Sequence, residues 1–150
     1  MSVRARTLVA CAVVALSCAA WPAQATPGTD ITAVTLGQVS VPDRLVPFLR
    51  GTDFVAREIT VAPGGSTGWH YHDGPVIGFV RSGVLTHPGP DCAAEVYQAG
   101  EFLYEPAGAW NVHIGRNLGT EPLVLDVIYA PPLGDPLFRD APAPACDSAG

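Results

Sequence analysis

The sequence predicts an all-β protein whose antiparallel strands form a sandwich or a barrel. Its apolar segments are short and rich in valine, isoleucine, phenylalanine and tyrosine, which is the composition of strands. Glycine and proline, with 16 and 15 of the 150 residues, separate these segments as turn residues do. No stretch of ten or more residues shows a 3.6-residue apolar period, so the pattern favours strands over helices.

The predicted strands follow from apolar alternation and from the turn residues between them. They cover residues 31–41, 54–62, 67–71, 76–81, 84–86, 94–98, 102–105, 111–115 and 123–129. One short helix is expected over residues 42–49. From residue 131 onward, five prolines and many alanines interrupt the chain, so 131–150 is predicted to be an irregular tail without a ladder strand.

Residues 1–25 have the three parts of a secretory signal peptide. Arg4 and Arg6 precede an uncharged apolar stretch, and small residues follow up to Ala25. The apolar stretch is shorter than the roughly 18 residues of a membrane-spanning helix, so we expect cleavage after Ala25 and no stable membrane insertion. The mature chain is therefore expected to be secreted or extracytoplasmic, with one domain that starts at residue 26.

The mature chain is acidic, and its charges exclude two classes of partner. Without Arg4 and Arg6, six arginines and no lysine remain beside 14 acidic residues. A chain of this charge, without basic clusters, is a poor ligand for nucleic acid or for anionic membranes. The sequence also lacks a Gly-x-Ser-x-Gly element, a nucleotide-binding loop and a Cys-x-x-Cys pair, so it does not predict a serine hydrolase, an NTPase or a thiol oxidoreductase.

Cys92 and Cys146 are predicted to form a disulfide. Removal of the signal peptide takes away Cys11 and Cys18, and an even pair of cysteines in an exported chain favours a bridge. This bridge would close a loop of about 50 residues and attach the proline-rich tail to the domain. The alternative is two unpaired, partly buried thiols.

His70 and His72 are the clearest sign of chemistry in the chain. Residues two apart in a strand point to the same side, so both imidazoles face one way. Neutral imidazole binds Zn, Cu, Fe and Ni, and two co-facing imidazoles form half of a metal site. In a later predicted strand His113 shares a face with Asn111 and Asn117, so three imidazoles converge if the strands are neighbours. The alternative is a set of hydrogen-bonded core histidines without a metal.

Two blocks around these histidines resemble the motifs of the cupin superfamily. The first motif is Gly, five residues, His-x-His, three or four residues, Glu, six residues, Gly. The matching residues are Gly64, His70, His72 and Gly83, with Val76 in the place of the glutamate. The second motif is Gly, five residues, Pro-x-Gly, two residues, His, three residues, Asn. Its matches are Gly100, Pro106 and Gly108, with Asn111 at the histidine position and His113 two residues beyond it, followed by Asn117.

This resemblance implies a single-domain jelly-roll β-barrel of cupin type, with six to eight strands, over residues 26–130. It also implies one divalent metal inside the barrel, bound by histidines of two neighbouring strands, here His70, His72 and His113. Cupins hold Mn, Fe, Ni, Cu or Zn. They range from dioxygenases and isomerases to sugar-binding and storage proteins without catalysis, so the fold does not choose the function.

Val76 cannot bind a metal, which reduces the implied ligand set to three histidines. Such a site leaves positions for water or substrate, and without an anionic ligand it favours Zn, Cu or Ni. Glu58 and Asp126 each lie on an apolar strand face and could replace the missing carboxylate. Asn111 and Asn117 could serve as extra ligands or orient a ligand.

Two functions remain open from the sequence. The first is a metal-dependent enzyme of oxygenase or isomerase type that converts a small organic molecule in a pocket lined by Val76, Gly78 and Val80. The second is a non-catalytic cupin that binds or senses a small molecule with a degenerate or empty metal site. No catalytic residue is assigned, and His87 is expected to be a surface histidine in a loop. By analogy with other cupins, the strand over 31–41 could exchange within a homodimer.

Overall fold

The structure is a computed structural model, and it describes residues 25–45 and 51–147. Within these ranges all regular secondary structure is β-strand, as the sequence predicts. The strands are β1 (Thr29–Val41), β2 (Thr52–Ser66), β3 (His70–Tyr71), β4 (Val76–Ser82), β5 (Val84–Pro88), β6 (Ala94–Gln98), β7 (Phe102–Glu105), β8 (Leu123–Tyr129) and β9 (Arg139–Asp140).

All strand pairs are antiparallel. Five strands form one sheet in the order β1-β2-β8-β4-β7, while β3 pairs with β9 and β5 pairs with β6. The ladders do not close into a continuous barrel, although the all-β cupin architecture is confirmed. β1 is an edge strand, and its residues are exposed along nearly the whole strand.

The apolar core lies on the inner face of the five-stranded sheet. Alternation along β8 and β4 buries every second side chain, as expected for a sheet with one solvated face. The buried cluster consists of Val55, Ile59, Val61, Val76, Val80, Leu85, Leu103, Leu123, Leu125, Val127 and Tyr129. Each such side chain contributes roughly 1.5–3 kcal/mol when it leaves water, so this cluster anchors the framework around the interior.

The sequence correctly predicted the bounds of β6, β7 and β8. It was wrong about the strand expected over 111–115 and about the start of the helix expected over 42–49. Residues 111–115 form no ladder strand; isolated bridges join His113 to His70, and Arg116 to both Ser66 and Thr86. Residues 42–45 form a turn closed by a hydrogen bond from the Leu45 amide to the Pro42 carbonyl oxygen, and the rest of the predicted helix lies outside the described residues. The part of the chain that the structure describes contains no helix long and apolar enough to cross a membrane.

The C-terminal segment is attached to the domain by more contacts than the disulfide that the sequence predicts. β9 pairs with β3, so the proline-rich tail does supply a short ladder strand. The predicted disulfide between Cys92 and Cys146 is present, and it joins the β5–β6 connection to the tail. Next to it, the Asp147 carboxylate accepts hydrogen bonds from the Trp69 indole at 2.7 Å and from Arg116 at 2.6 Å. The tail is thereby held against the residue that precedes His70.

We expect that Cys146→Ser lowers the free energy of unfolding by about 4 kcal/mol, because the open chain regains the entropy of a loop of about 50 residues. Urea denaturation of the oxidised protein measures this change. Wild type treated with reductant is the control and should match the variant. Equal stability of the oxidised and reduced wild-type protein would show that the bridge does not constrain the fold.

Candidate metal centre

Three buried histidines meet inside the strand framework. His70 lies on β3, His72 follows that strand, and His113 comes from the bridged segment between β7 and β8. The backbones of His70 and His113 exchange two hydrogen bonds, with N···O distances of 3.0 and 2.9 Å. Their ring centroids are 4.5 Å apart, and the His72 centroid lies 4.8 Å from that of His70 and 5.1 Å from that of His113. Together the three side chains could hold a metal ion.

A tight turn at Gly68 positions the first of these histidines. Gly68 has a φ of +75°, and a Cβ there would lie 2.1 Å from the carbonyl oxygen of Thr26, so a larger residue does not fit. This turn directs the Gly68 carbonyl oxygen at Nδ1 of His70, 2.8 Å away. The glycine before the His-x-His pair therefore fixes the orientation of an imidazole.

Each of the three imidazoles is held through its Nδ1 atom by a backbone carbonyl oxygen. Nδ1 of His72 lies 2.7 Å from the Leu137 carbonyl oxygen, and Nδ1 of His113 lies 2.8 Å from the Asn111 carbonyl oxygen. A carbonyl oxygen can only accept, so Nδ1 must carry the proton in each ring. In a neutral ring this leaves the lone pair on Nε2, which is the tautomer that metal-binding histidines use when a backbone carbonyl oxygen holds the other nitrogen.

A carboxylate completes the cluster, and it belongs to Glu105. Its Oε2 lies 3.0 Å from Nε2 of His72 and 3.5 Å from Nε2 of His113, while these two nitrogens are 3.3 Å apart. Donor atoms about 2.0–2.1 Å from one ion are roughly 2.9–3.4 Å from each other in octahedral or tetrahedral geometry. The triangle of donors therefore matches the ligand spacing of a transition metal.

The electrostatics of the cluster favour a cation. Burial raises the pKa of the Glu105 carboxyl, but hydrogen bonds from surrounding imidazoles hold it well below its ordinary value. Burial, with the neighbouring charges of His113 and His72, lowers the pKa of His70 to about 3. Burial lowers the pKa of His113, yet the hydrogen bond to Glu105 raises it overall. Metal binding at the site would compete with protonation of His113, because an imidazole binds a metal only through a deprotonated nitrogen.

Sequence reasoning missed Glu105 although its location follows from the sheet register. Val76, at the motif position of the glutamate, pairs directly with Glu105 across β4 and β7. Directly opposed residues point to the same side of a sheet, so the carboxylate comes from the neighbouring strand. One signal was available: Glu105 alternates with the apolar Leu103 and so shares its inward face.

His87 is not the surface loop histidine that we expected. It lies on β5 with a mostly buried side chain, and its Nε2 is 3.1 Å from Oε1 of Glu105. The His87 and His113 ring centroids are 4.9 Å apart, and these two residues with Glu105 form a second group that could hold a metal ion. The strand around 84–86 is two residues longer than predicted, and this extension brings His87 into the interior.

The two asparagines stabilise turns around the histidines. The Asn111 side chain donates to the Pro106 carbonyl oxygen at 3.0 Å, and only its backbone oxygen contacts His113. Asn117 is fully buried and donates to the carbonyl oxygens of Val61 and Glu121 at 2.9 and 2.8 Å. Neither side chain has a described hydrogen bond to an imidazole, and only Asn111 orients a histidine, through its backbone oxygen.

The structure does not bring the two predicted replacement carboxylates, Glu58 and Asp126, to the histidines. Both lie on the outer face of the sheet, where the Arg81 guanidinium donates to Glu58 at 2.5 Å and to both oxygens of Asp126. Their side chains are about one-third exposed. They alternate with inward residues on β2 and β8, which resolves the choice of face that the sequence left open.

The interior space at the cluster is smaller than the predicted pocket. A cavity of about 40 Å³ is lined by Val76 and Gly78 together with His70, His72, His87 and Glu105. Val80 does not line it and packs in the core instead. A Cβ on Gly78 would lie 2.5 Å from the Leu103 side chain, so this glycine makes room for a leucine. The cavity is large enough for an ion and a few waters, but not for an organic molecule.

Two larger spaces open from the cluster to the surface. The first, which we call the β1 mouth, has a volume of about 360 Å³ and is lined by residues of β1, β2 and the tail together with His70 and Tyr129. The second, the hairpin groove, has about 350 Å³ and lies between the β5–β6 hairpin and the His87, Glu105 and His113 side chains. Both volumes fall within the range of small-molecule sites.

The fold and the interior histidines define a class of protein: a small all-β domain with a site suited to a metal. A family model for the cupin domain matches residues 57–129. This match, with the structural relatives below, shows that the chain belongs to the cupin superfamily. No curated protein sequence gives a significant match.

Solved structures of several other proteins share the fold at low sequence identity. The polyketide cyclase RemF from Streptomyces resistomycificus is 24% identical, with a TM-score of 0.58 over 77% of this chain and 74% of that chain. A cupin-like protein from Thermotoga maritima is 17% identical, with a TM-score of 0.54 over 75% of this chain and 77% of that chain. A structure described as DMSP lyases RdDddP and RnDddQII is 23% identical, with a TM-score of 0.50 over 59% and 44% of the two chains.

We expect that Glu105→Gln weakens Zn²⁺ binding by more than about 100-fold. Mutation of a residue that only hydrogen-bonds to a metal ligand costs roughly 10- to 100-fold in affinity, and Glu105 is itself a proposed ligand. The amide keeps the shape of the side chain but removes the anionic donor. Chelator competition measures the affinity. Glu58→Gln and Asp126→Asn are matched controls on the outer face and should leave it unchanged, whereas an equal loss in all three variants would contradict the assignment.

Proposed function

We propose that this protein is an exported cupin that binds one divalent transition metal through His70, His72, His113 and Glu105, and that binds and converts a small organic molecule beside it. The observation that carries the proposal is that Nε2 of His72 and Nε2 of His113 both face one carboxylate oxygen of Glu105, with His70 in the same buried group of histidines. Backbone carbonyl oxygens hold each imidazole in the metal-binding tautomer. Nε2 atoms 3.3 Å apart repel each other unless a proton or a cation lies between them.

Glu105 changes the expected choice of metal. The preference for Zn, Cu or Ni rested on a site without an anionic ligand. Three imidazoles with one carboxylate also suit Fe(II) and Mn(II), so all five metals remain compatible with the donor set. The bound metal would act as a Lewis acid toward an oxygen of the substrate or of water.

Residues around the proposed ligands orient the carboxylate, exclude water and leave access for a small molecule. The Nε2–H group of His87 donates to the second oxygen of Glu105 and so fixes the rotation of that carboxylate. Tyr129 packs 5.6 Å from the His72 ring and excludes water on the sheet side. The two openings give a small molecule access to the cluster from either side. The cyclase and lyase among the structural relatives support an enzymatic role.

The alternative is a non-catalytic binding or sensing cupin, and one observation favours it. The enclosed cavity of about 40 Å³ cannot surround an organic substrate, so a ligand must remain in one of the open spaces. Open sites exchange readily with water, which hinders chemistry that needs a dry environment.

Export is part of the proposal. The signal peptide over 1–25 falls on residues that lie outside the described part of the chain, apart from Ala25. The disulfide between Cys92 and Cys146 supports an oxidising, extracytoplasmic location, because such bridges rarely persist in the cytosol.

The metal centre predicts a stoichiometric metal in exported protein purified without metal-affinity steps. His72→Ala should lose most of this metal, because a direct ligand is removed. Elemental analysis of the two proteins tests this, with Asp126→Asn on the outer face of the sheet as a control that removes no ligand and no orienting group. Substoichiometric metal in wild type and in His72→Ala alike would favour the set of core histidines without a metal.

We also propose a homodimer formed through the outer face of the five-stranded sheet. Large apolar side chains on this face are 51–70% exposed: Val34, Leu36, Val39, Ile77, Phe102, Tyr104 and Ile128. At roughly 100 Å² each, they approach the ~800 Å² per partner that a stable interface buries. β1 adds an edge with unpaired backbone groups, which is a natural template for a second copy of the chain.

Leu36→Glu should shift the protein from dimer to monomer, because it places a charge at the centre of an apolar contact. Sedimentation velocity measures the assembly state. Val96→Glu is the matched control, since Val96 is 53% exposed on the β5–β6 hairpin, away from this face. A wild-type chain that is monomeric at micromolar concentration would contradict the dimer.

A further inference from the structure

We propose that Arg57 makes the β1 mouth a binding site for small organic anions, with a carboxylate on the guanidinium and an apolar body along the walls. This inference extends the proposed function, because it names the substrate class and the side from which the substrate reaches the cluster. It rests on the position, partners and surroundings of one arginine.

Arg57 lies on the inner side of the sheet, where cations are rare. Its neighbours two residues away on β2, Val55 and Ile59, are buried in the core. By alternation Arg57 points to the same side, and it lines the β1 mouth together with His70 and Tyr129. The strand thus places a permanent positive charge at the opening of the interior.

The Arg57 guanidinium lacks the partners that other arginines of the protein have. Arg81, Arg116 and Arg139 each bind a carboxylate. In the described residues Arg57 has no such salt bridge; one Nη2–H contacts the Ala33 carbonyl oxygen at 3.3 Å, and its buried Nε–H has no hydrogen-bond partner. A buried donor of a charged group is costly to leave unpaired, which is a reason to expect a ligand there.

The walls of the mouth suit a small apolar body. Ile31, Ala33, Ile59 and Phe138 contribute apolar surface. Phe138 also packs edge-on against the His70 ring at 5.7 Å, so the wall continues to the histidine cluster.

The opposite opening has the opposite charge. The hairpin groove is lined by the acids Asp91, Glu95 and Glu105 and by no arginine, so it repels anions. In the β1 mouth the acid is Asp140, which is exposed to water, where its charge is screened. A planar guanidinium binds a carboxylate through two parallel N–H groups, and this geometry distinguishes carboxylates from neutral analogues.

Benzoate and its neutral analogue benzamide test the proposal by calorimetric titration of the mature protein as purified. Wild type should bind benzoate more tightly than benzamide. Arg57→Met, which keeps the length of the side chain, should weaken benzoate binding by about tenfold or more and leave benzamide unchanged. Arg44→Met is the matched control, because Arg44 is exposed in the turn after β1 and outside the mouth.

A second readout separates ligand binding from folding. Removal of an unpaired buried donor should leave the melting temperature of the ligand-free protein the same or higher, so Arg57→Met should lose benzoate binding without losing stability. If Arg57→Met unfolds more easily than wild type, Arg57→Lys serves as the second variant. It keeps the positive charge but lacks the two parallel N–H groups of the guanidinium, so it should bind benzoate with intermediate affinity. Wild type that does not prefer benzoate, or an Arg57→Met variant that retains the preference, overturns the proposal.

His72→Ala distinguishes this proposal from that of the metal centre. If the carboxylate binds Arg57, this variant keeps benzoate binding even when its metal is lost. If benzoate binding is lost in His72→Ala and retained in Arg57→Met, the anion binds at the metal, and the inference about Arg57 is wrong while the metal centre stands.

Discussion

The site depends on three hydrogen bonds from Nδ1 atoms of imidazoles to backbone carbonyl oxygens. A neutral imidazole carries one proton, and a carbonyl oxygen at 2.7–2.8 Å holds it on Nδ1 in each ring. Without these acceptors the rings could rotate or change tautomer, and their metal-binding nitrogens would not lie close together. The acceptors belong to Gly68, Leu137 and Asn111, which lie in three separate segments. The site is therefore a product of the complete fold.

This requirement explains why the tail matters although its composition indicated an irregular segment. Leu137 orients His72, Phe138 packs on His70, and the chain after Cys146 holds Trp69 through Asp147. The prolines exclude a central strand, but they permit a two-residue edge strand between them, and β9 occupies that interval. Composition predicted no ladder strand in the tail, which β9 contradicts, and it could not reveal the contacts made by individual carbonyl groups.

The sequence correctly predicted the features that depend on residues close together in the chain. Alternation and turn residues gave β6, β7 and β8 their bounds, and the two-residue period gave His70 and His72 a common side. His113 was found by the same parity, although isolated bridges rather than a ladder strand hold it. Glu105 and His87 were missed because their roles depend on which strands are neighbours. Contacts between residues far apart in sequence follow from long-range pairing, which a single sequence does not display.

The relation between Val76 and Glu105 shows how a ligand can change strand without leaving its site. The two residues are opposed across β4 and β7, so a carboxylate on either strand points into the same interior. The choice of strand still affects the charge of the surroundings. Glu105 lies beside the hairpin groove with Asp91 and Glu95, and His87 can reach its second oxygen there. The opposite opening contains Arg57. The carboxylates of the hairpin groove thus lie on one side of the interior and the Arg57 guanidinium, which has no carboxylate partner in the described residues, on the other, so an anion would be attracted toward the β1 mouth and repelled from the hairpin groove.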